Sequence, residues 1–475
     1  MKLFPTEIYV NRREKFMNLM SSGIVIFPGN NDSPMNYAAN PYVFRQDSTF
    51  LYFWGLKLSG LAAIMDIDNK KATIYGDDVD ISSIIWMGPQ PSIKELSEKV
   101  GVVETKSYKY FETDIKEAIS KQRKMHYLPQ YRHDNMILLN KILEIPFSEL
   151  KNRASAEAIK AVVALRSVKE NIEIQAMTLA SEIAYKMHLS AMKNTCPGIM
   201  ESEISGVAEG IALSHNGKVA FPIICTIKGE ILHNHYHGNI MKDGDLLLID
   251  AGAETEMSYC SDFTRTIPVN GKFSSKQKEI YQIVLEANNK AFELVKPSVA
   301  NRDIHLEVCK IITKGLIELG LMRGSVDEIV AAGAHALFFP HGLGHLIGLD
   351  VHDMEDLGEN YVGYDDEIQK STQFGLAYLR FGKRLQEGYT LTIEPGIYFI
   401  PALIEKWKKE NINHQFLNFD KIERYIGFGG IRLEDDVLVT AMGGKFIGER
   451  LPITVEEVEK ARKIDYRNKE AIGRG

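Results

Sequence analysis

The chain has 475 residues, which is long for one hydrophobic core, so we expect two domains. A hydrophobic fraction of 45% and a charged fraction of 25% are typical of a folded soluble protein. The 56 basic and 63 acidic residues give a net charge of −7 without a basic block, which argues against a nucleic-acid partner. The sequence shows no signal-like or membrane-spanning apolar run. We therefore expect a cytoplasmic protein that makes no contact with a membrane.

Four cysteines are spread along the chain, at Cys196, Cys225, Cys260 and Cys309, and no two form a CxxC pair. This spacing argues against a disulfide framework and against a zinc site made of thiolates. The glycine patterns of nucleotide-binding loops are also absent.

Residues 1–165 alternate helical and strand patterns and predict a smaller α/β domain. A helix is expected over residues 6–20. Four apolar runs predict strands, at residues 23–29, 50–56, 61–67 and 71–76. The last two should form a hairpin across the turn-forming pair Asp68-Asn69. Residues 44–48 are polar and charged, and we interpret them as a solvated loop.

A second domain is expected over residues 166–475. The segment Ser167-Val-Lys-Glu170 has the form of a capping box and predicts the start of a long amphipathic helix that ends near Asn194. A second helix is expected from Glu201 to His215, and strands should follow.

The same pattern returns a hundred residues later and predicts an internal repeat. Residues 274–277 (SSKQ) cap a long helix that ends at Lys296-Pro297, and a shorter helix follows over residues 301–320. The copies align at three pairs of positions, Pro197 with Pro297, Glu203 with Asp303 and Ile204 with Ile304. Each half should then contribute a similar strand pair to a shared centre.

Carboxylates stand at the strand ends of both halves. Asp250 ends the apolar run 246–249, and Asp262 returns on the neighbouring strand. A buried carboxylate is costly without a cation, so this pair favours a metal, although a turn residue and a solvated residue are the simpler interpretation of any two aspartates. The second half adds Glu394, before Pro395, and Glu434.

Three histidines, His341, His345 and His352, lie within twelve residues of a glycine-interleaved stretch. Its glycines disfavour a helix interior, and on an extended chain His341 and His345 share one face. A single histidine in an apolar stretch is more often a core or turn residue than a ligand. Three so close together favour a site.

These motifs are similar to those of the pita-bread metallopeptidases, in the branch that contains Xaa-Pro aminopeptidase and prolidase. The matching stretches are LLLIDAG, SDFTRTIPVNGKF, HGLGHLIGLDVHD, LTIEPGIY and GIRLEDDVLV, and FRQDSTFLYFWG resembles a segment of the family's N-terminal domain. The resemblance implies an α/β (α+β) fold whose catalytic domain is creatinase/aminopeptidase-like with a pseudo-twofold repeat. It also implies five metal ligands, which are Asp250, Asp262, His345, Glu394 and Glu434.

The resemblance further implies two divalent metal ions bridged by a hydroxide. One histidine among many oxygens suits Mn²⁺, with Zn²⁺, Co²⁺ and Fe²⁺ as competitors. Glu394 would manage the proton of the water, and His233 and His341 would bind the scissile carbonyl. Arg432 would orient the Glu434 carboxylate or a histidine, with a surface ion pair as the alternative. His352 would flank the histidine ligand.

The sequence therefore predicts a metal-dependent Xaa-Pro aminopeptidase that acts on peptides with proline at the second position. Xaa-Pro dipeptidase (prolidase) is the alternative, and a metal-free pita-bread hydrolase or binding module is less favoured because all five ligands are present. The resemblance implies a homodimer or higher homo-oligomer built through the N-terminal domain. Segments 354–387 and 402–428 are expected to be loops beside the active site. The first contains Arg380, Lys383 and Arg384, which are candidates for binding a substrate carboxylate.

Overall fold

The computed structural model describes residues 2–462, and the chain divides into two compact units. The N-terminal unit runs to Ser167 and includes Met354–Val362, and the C-terminal unit comprises Val168–Asp353 and the chain from Gly363. The boundary predicted between residues 165 and 166 lies within two residues of the observed one. The prediction assigned residues 354–362 to the second domain, whereas they belong to the first unit. The helix Glu359–Val362 packs there against the helix Ala156–Ser167.

The N-terminal unit is built on one five-stranded sheet. Its strands are β1 (Ile24–Pro28), β2 (Ala62–Asp66), β3 (Lys71–Tyr75), β4 (Glu104–Lys106) and β5 (Met125–Tyr127). Its helices are α1 (Thr6–Leu19), α2 (Ser48–Trp54), α3 (Ile81–Met87), α4 (Ile93–Glu98), α5 (Phe111–Ser120), α6 (His133–Leu143), α7 (Phe147–Leu150) and α8 (Ala156–Ser167). The order is β4-β3-β2-β1-β5, and the predicted antiparallel hairpin of β2 and β3 is confirmed.

The predicted strand over residues 50–56 is wrong, because this segment forms helix α2. The Asp47 carboxylate accepts a hydrogen bond from the Phe50 N–H at 2.8 Å and caps the helix, and Gly55 ends it in a left-handed conformation at φ 63°. All seven residues of α2 are buried. Because every face of the helix is buried, its sequence shows no helical periodicity of apolar residues. Its aromatic residues are common in strands, so the sequence predicted a strand instead.

Residues 44–48 are not a solvated loop either, because Gln46 is fully buried. Its Oε1 accepts hydrogen bonds from the backbone N–H groups of Asn30 at 2.6 Å and Asp47 at 2.8 Å. Its Nε2 donates to the Leu58 carbonyl at 2.8 Å. This side chain therefore fastens three backbone segments around the start of α2.

The C-terminal unit contains two groups of helices and strands. Its helices are α9 (Asn171–Asn194), α10 (Glu201–Ser214), α11 (Ser275–Leu294), α12 (Asn301–Glu318), α13 (Val326–Ala331), α15 (Pro401–Lys409), α16 (Phe419–Ile422) and α17 (Val455–Ala461), and α14 (Glu359–Val362) belongs to the N-terminal unit. Its strands are β6 (Lys218–Val219), β7 (Ile224–Thr226), β8 (Leu246–Ala251), β9 (Ala253–Glu254), β10 (Phe263–Pro268), β11 (Thr390–Ile393), β12 (Gly396–Tyr398), β13 (Gly430–Arg432), β14 (Asp435–Thr440) and β15 (Gly443–Phe446).

The long helices lie where the sequence predicted them, but one start differs. Ser167 ends α8 instead of capping α9, and Glu170 is the N-cap of α9 in a capping box with Glu173. The predicted capping box of Ser274 and Gln277 at α11 is confirmed. Residues 402–428, expected to be a loop, contain most of α15 and all of α16.

The repeat appears as two similar halves. In each half a pair of packed helices, α9 with α10 and α11 with α12, is followed by strands. The first half forms the antiparallel sheet β10-β8-β7, and the second forms the antiparallel sheet β11-β14-β15. A bridge between Thr264 and Glu434 connects strands of the two halves. The shared centre predicted from the repeat lies at this bridge.

We predict that Gln46→Ala lowers the free energy of unfolding by about 2 kcal/mol or more, because it leaves buried backbone groups without partners. Gln90→Ala, at an exposed position, is the control and should change stability by less than about 0.5 kcal/mol. Urea unfolding followed by circular dichroism measures both values. Equal stabilities for the two variants would contradict the anchoring role of Gln46.

Candidate metal centre

The two aspartates come from the first half. Asp250 lies in β8 and is paired in register with Thr264 of β10, and Asp262 directly precedes β10. The Asp262 N–H donates to the Asp436 carboxylate at 2.9 Å. Asp250 and Asp262 are buried, with exposed fractions of 8% and 4%.

The two glutamates come from the second half. Glu394 follows β11, and its N–H donates to the Leu343 carbonyl at 2.8 Å. Glu434 lies between β13 and β14, and its N–H donates to the Thr264 carbonyl at 3.0 Å. The Thr264 hydroxyl in turn donates to Glu434 Oε2 at 2.6 Å. Thr264 thereby attaches a second-half carboxylate to the strand that follows Asp262.

His345 lies in the irregular segment between α13 and β11, inside the second half, and faces the carboxylates. Its Nε2 is 3.5 Å from Asp262 Oδ2 and 3.8 Å from Glu394 Oε1. Its Nδ1–H donates to the Leu346 carbonyl at 3.1 Å, which leaves Nε2 as the acceptor that faces the carboxylates. The donor atoms of Asp262, His345 and Glu434 all lie within 4.8 Å of one another.

The electrostatics of this cluster call for a cation. Burial raises the pKa of Asp262 and Glu434 well above the usual values, and the neighbouring carboxylates raise both further. Burial also raises the pKa of Glu394 to about 8. The Oδ1 atoms of Asp250 and Asp262 are buried and have no hydrogen-bond partner among residues 2–462. Burial lowers the pKa of His345, so its ring is neutral and able to coordinate. These residues fit divalent metal ions.

Arg432 is buried beside the cluster, so the alternative of a surface ion pair is wrong. Its Nη2 donates to Asp250 Oδ2 at 2.6 Å, its Nε to the Thr264 hydroxyl at 3.1 Å, and its Nη1 to the Tyr398 hydroxyl at 3.0 Å. The guanidinium therefore orients Asp250 and does not bind Glu434 directly.

The other predicted histidines surround this centre. His341 Nδ1 is 3.7 Å from Glu394 Oε2, and its Nε2 accepts from the Tyr398 hydroxyl at 2.8 Å. The ring of His352 packs on that of His345 with centroids 4.2 Å apart. His233 is exposed, and its pKa is lowered by desolvation and by the charge of Arg432.

Sequence reasoning missed two residues of this network, Thr264 and Tyr398. Thr264 bonds to both Glu434 and Arg432, and Tyr398 joins Arg432 to His341. A signal for Thr264 was present, because it lies two positions after Asp262 and residues i and i+2 of a strand share a face. Tyr398 gave no comparable signal. The residue two positions before it is Gly396, which has no side chain that could mark a shared face.

Residues 175–441 match metallopeptidase family M24, and residues 9–127 match the N-terminal domain family of aminopeptidase P. The chain belongs to metallopeptidase family M24. This membership confirms the resemblance derived from the sequence motifs and makes the chain a metal-dependent hydrolase. The family match covers all five of the predicted ligand positions.

Relatives and solved structures extend this similarity over nearly the whole chain. The chain is 31% identical to a human Xaa-Pro dipeptidase, covering 94% of this chain and 90% of that protein. It is 32% identical to a probable Xaa-Pro aminopeptidase of Aspergillus clavatus, covering 88% of each. The structure of Pseudomonas aeruginosa aminopeptidase PepP superposes with a TM-score of 0.80 at 27% identity, covering 97% of this chain and 99% of that one. Zn-substituted Escherichia coli aminopeptidase P in complex with product superposes with a TM-score of 0.77 at 26% identity over the same shares.

Among residues 2–462, no helix combines the length and the apolar character that crossing a membrane requires.

We predict that Glu394→Gln stabilises the metal-free protein increasingly as the pH rises. An acid whose pKa is higher in the folded than in the unfolded state reduces stability as the pH rises from the unfolded to the folded value, here from 4.5 to about 8. The gain over wild type should grow by at least about 1 kcal/mol across this window, since one pKa unit corresponds to about 1.4 kcal/mol.

Urea unfolding of chelator-treated protein at a series of pH values measures this difference, with the surface variant Glu410→Gln as the control. A gain that does not change with pH would show that Glu394 ionises normally.

Proposed function

We propose that this chain is an Xaa-Pro aminopeptidase, which hydrolyses the bond between an N-terminal residue and a following proline. The observation that carries the proposal is the convergence of Asp262, His345 and Glu434, with Glu394 beside them, in a buried space that needs a cation. Family membership supports a peptidase reaction, and relatives named Xaa-Pro aminopeptidase support the choice of bond. Peptides with proline at the second position are the substrates.

The proposed cofactor is a pair of divalent metal ions, with Mn²⁺ favoured over Zn²⁺, Co²⁺ and Fe²⁺ because oxygen ligands outnumber the single imidazole. The residues that would hold the pair are Asp250, Asp262, His345, Glu394 and Glu434. When bound, such a pair would lower the pKa of the attacking water and stabilise the negative charge that develops on the carbonyl oxygen.

Glu394 is suited to carry the proton. Its side chain has an exposed fraction of 18%, against 6% for Asp262 and for His345, so it borders the space that a substrate enters. We assign to it the removal of a proton from the attacking water and its delivery to the proline nitrogen as the peptide bond breaks.

The two histidines differ in how they reach the substrate. His233 is exposed, and its lowered pKa leaves a neutral ring whose N–H can donate to the scissile carbonyl. His341 already donates from Nδ1 to the Gly342 carbonyl at 2.8 Å and accepts at Nε2 from Tyr398. His341 therefore binds substrate by replacing its hydrogen bond to the Gly342 carbonyl with one to the scissile carbonyl. Without substrate, it holds Tyr398, and through Tyr398 also Arg432, in position.

We predict that His345→Ala and Glu394→Gln each lower kcat by at least about 100-fold. Loss of a residue that only hydrogen-bonds to a metal ligand usually lowers activity or metal affinity about 10- to 100-fold, and loss of the ligand itself should lower activity more. His133→Ala, at an exposed position in the N-terminal unit, is the control. Chelation of the wild type should remove activity, and added Mn²⁺ should restore it. Full turnover by Glu394→Gln, or by chelated wild type, would refute the assignment.

One observation favours the dipeptidase alternative. A strict Xaa-Pro dipeptidase binds the free carboxylate of proline and needs a cation near the centre. Among the three candidates, Arg384 pairs with Glu367 at the surface, with its Nε 2.9 Å from Oε1, and Lys383 is buried with its Nζ 5.9 Å from the centre of the Tyr389 ring. The charge of Arg380, by contrast, acts on Glu394 and lowers its pKa.

We predict that tripeptides Xaa-Pro-Xaa are cleaved at least as efficiently as dipeptides Xaa-Pro. If Arg380 binds the dipeptide carboxylate, Arg380→Ala raises KM for dipeptides about tenfold or more and leaves KM for tripeptides unchanged, because a charge-assisted hydrogen bond contributes about 1.5–3 kcal/mol. Arg384→Ala, four residues along in the same segment, is the control. Cleavage of dipeptides alone would make the chain a dipeptidase.

We further propose a homodimer or higher oligomer that assembles through the N-terminal unit. Helix α3 supports this, because Ile81, Ile85, Trp86 and Met87 are exposed to 74%, 74%, 84% and 66%, and such a patch is typical of an interface. We expect Trp86→Glu to lower the oligomer mass measured by light scattering. A wild-type mass of 53.6 kDa, the monomer value, would contradict the proposal.

A further inference from the structure

A second buried group of metal-binding side chains lies outside the centre described above. His305 and Cys309 are one turn apart on α12, and His335 lies in the 3₁₀ helix Ala334–Leu337. All three are buried, with exposed fractions of 1%, 0% and 1%. Their donor atoms lie within 4.8 Å of one another. None of the three belongs to the family motifs or to the proposed catalytic machinery.

The hydrogen bonds of these histidines are incomplete. Both ring nitrogens of His335 are buried without a partner among residues 2–462, and so is Nδ1 of His305. A neutral imidazole has one N–H donor and one acceptor nitrogen, and buried polar groups of this kind are nearly always paired. Burial lowers the pKa of His335 to about 4 and that of His305 to about 3, so both rings are neutral and their lone pairs can coordinate a metal.

The distances suit a tetrahedral metal ion. His305 Nε2 and Cys309 Sγ are 3.5 Å apart. Zinc–nitrogen and zinc–sulfur bonds of about 2.05 and 2.3 Å at the tetrahedral angle place the two ligand atoms about 3.6 Å apart. A thiol-to-imidazole hydrogen bond would explain this one pair of atoms. It would leave both nitrogens of His335, which faces the same pair, without a partner.

We propose that His305, Cys309 and His335 bind Zn²⁺, with a water molecule as the fourth ligand. Two imidazoles and a thiolate form a softer ligand set than the carboxylates of the centre around Asp262, so the two sites select different metals. Binding releases the Cys309 thiol proton to solvent, since the thiolate is the form that coordinates.

This metal would connect α12 to the segment that leads into the active site. The His305 ring packs on Phe339 with centroids 5.4 Å apart, and Phe339 packs on His341 at 4.8 Å. Zinc at this site would hold Phe339, and through it His341, in place. The zinc has a positioning role and takes no part in the reaction.

The test uses Co²⁺ in place of zinc in the full-length protein. A thiolate bound to Co²⁺ gives a charge-transfer absorption band, and none of the five proposed active-site ligands is a cysteine. We expect the band in the wild type. Cys309→Ser should lose the band and should bind one equivalent of cobalt fewer than the wild type. Cys225→Ser, at a buried cysteine elsewhere in the same unit, should keep the band. His335→Gln provides a second variant that keeps the thiol, and it should lose or greatly weaken the band.

The variant His345→Ala separates this inference from the proposed function. It should keep the band while activity is lost, because the two sites share no ligand. A folded wild type without the band would overturn the proposal. A band that persists in Cys309→Ser would overturn it as well.

Discussion

The centre depends on one constraint, which is that several carboxylates are buried together and need positive charge. Burial and the charge of Glu434 raise the pKa of Asp262, and burial and the charges of Glu394 and Asp250 raise the pKa of Glu434. Arg432 is hydrogen-bonded to Asp250. One guanidinium does not neutralise four carboxylates. A fold that holds them together without metal therefore carries protons on some of them or loses stability, and metal ions relieve both.

The repeat is what brings these charges together. Each half supplies an antiparallel sheet whose strands end near the centre, and the bridge of Thr264 with Glu434 joins them. Thr264 of the first half also accepts a hydrogen bond from Arg432, so one first-half residue bonds to both Glu434 and Arg432 of the second half. The chain of contacts from Asp250 through Arg432 and Tyr398 to His341 then links the ligand side to the substrate side.

The His305 cluster shows a different solution to buried polarity. The side chains of this cluster are neutral, so burying them costs free energy through missing hydrogen bonds and not through charge repulsion. A metal ion satisfies either need. The contrast between an oxygen-rich centre and a nitrogen and sulfur cluster in the same unit would give the chain two kinds of metal selectivity.

The sequence by itself determined the family, the order of the ligand motifs, the long helices of the repeat and the hairpin of β2 and β3, because periodicity, caps and turns are local signals. It did not determine α2, since a helix buried on every face has no periodicity to detect, nor the partner of Arg432, because Asp250 lies 182 residues away. His305 and Cys309 were visible one turn apart, but His335 joins them only when the chain folds back after α13. Contacts between distant segments depend on how the sheets and helices pack, and only the tertiary structure decides that.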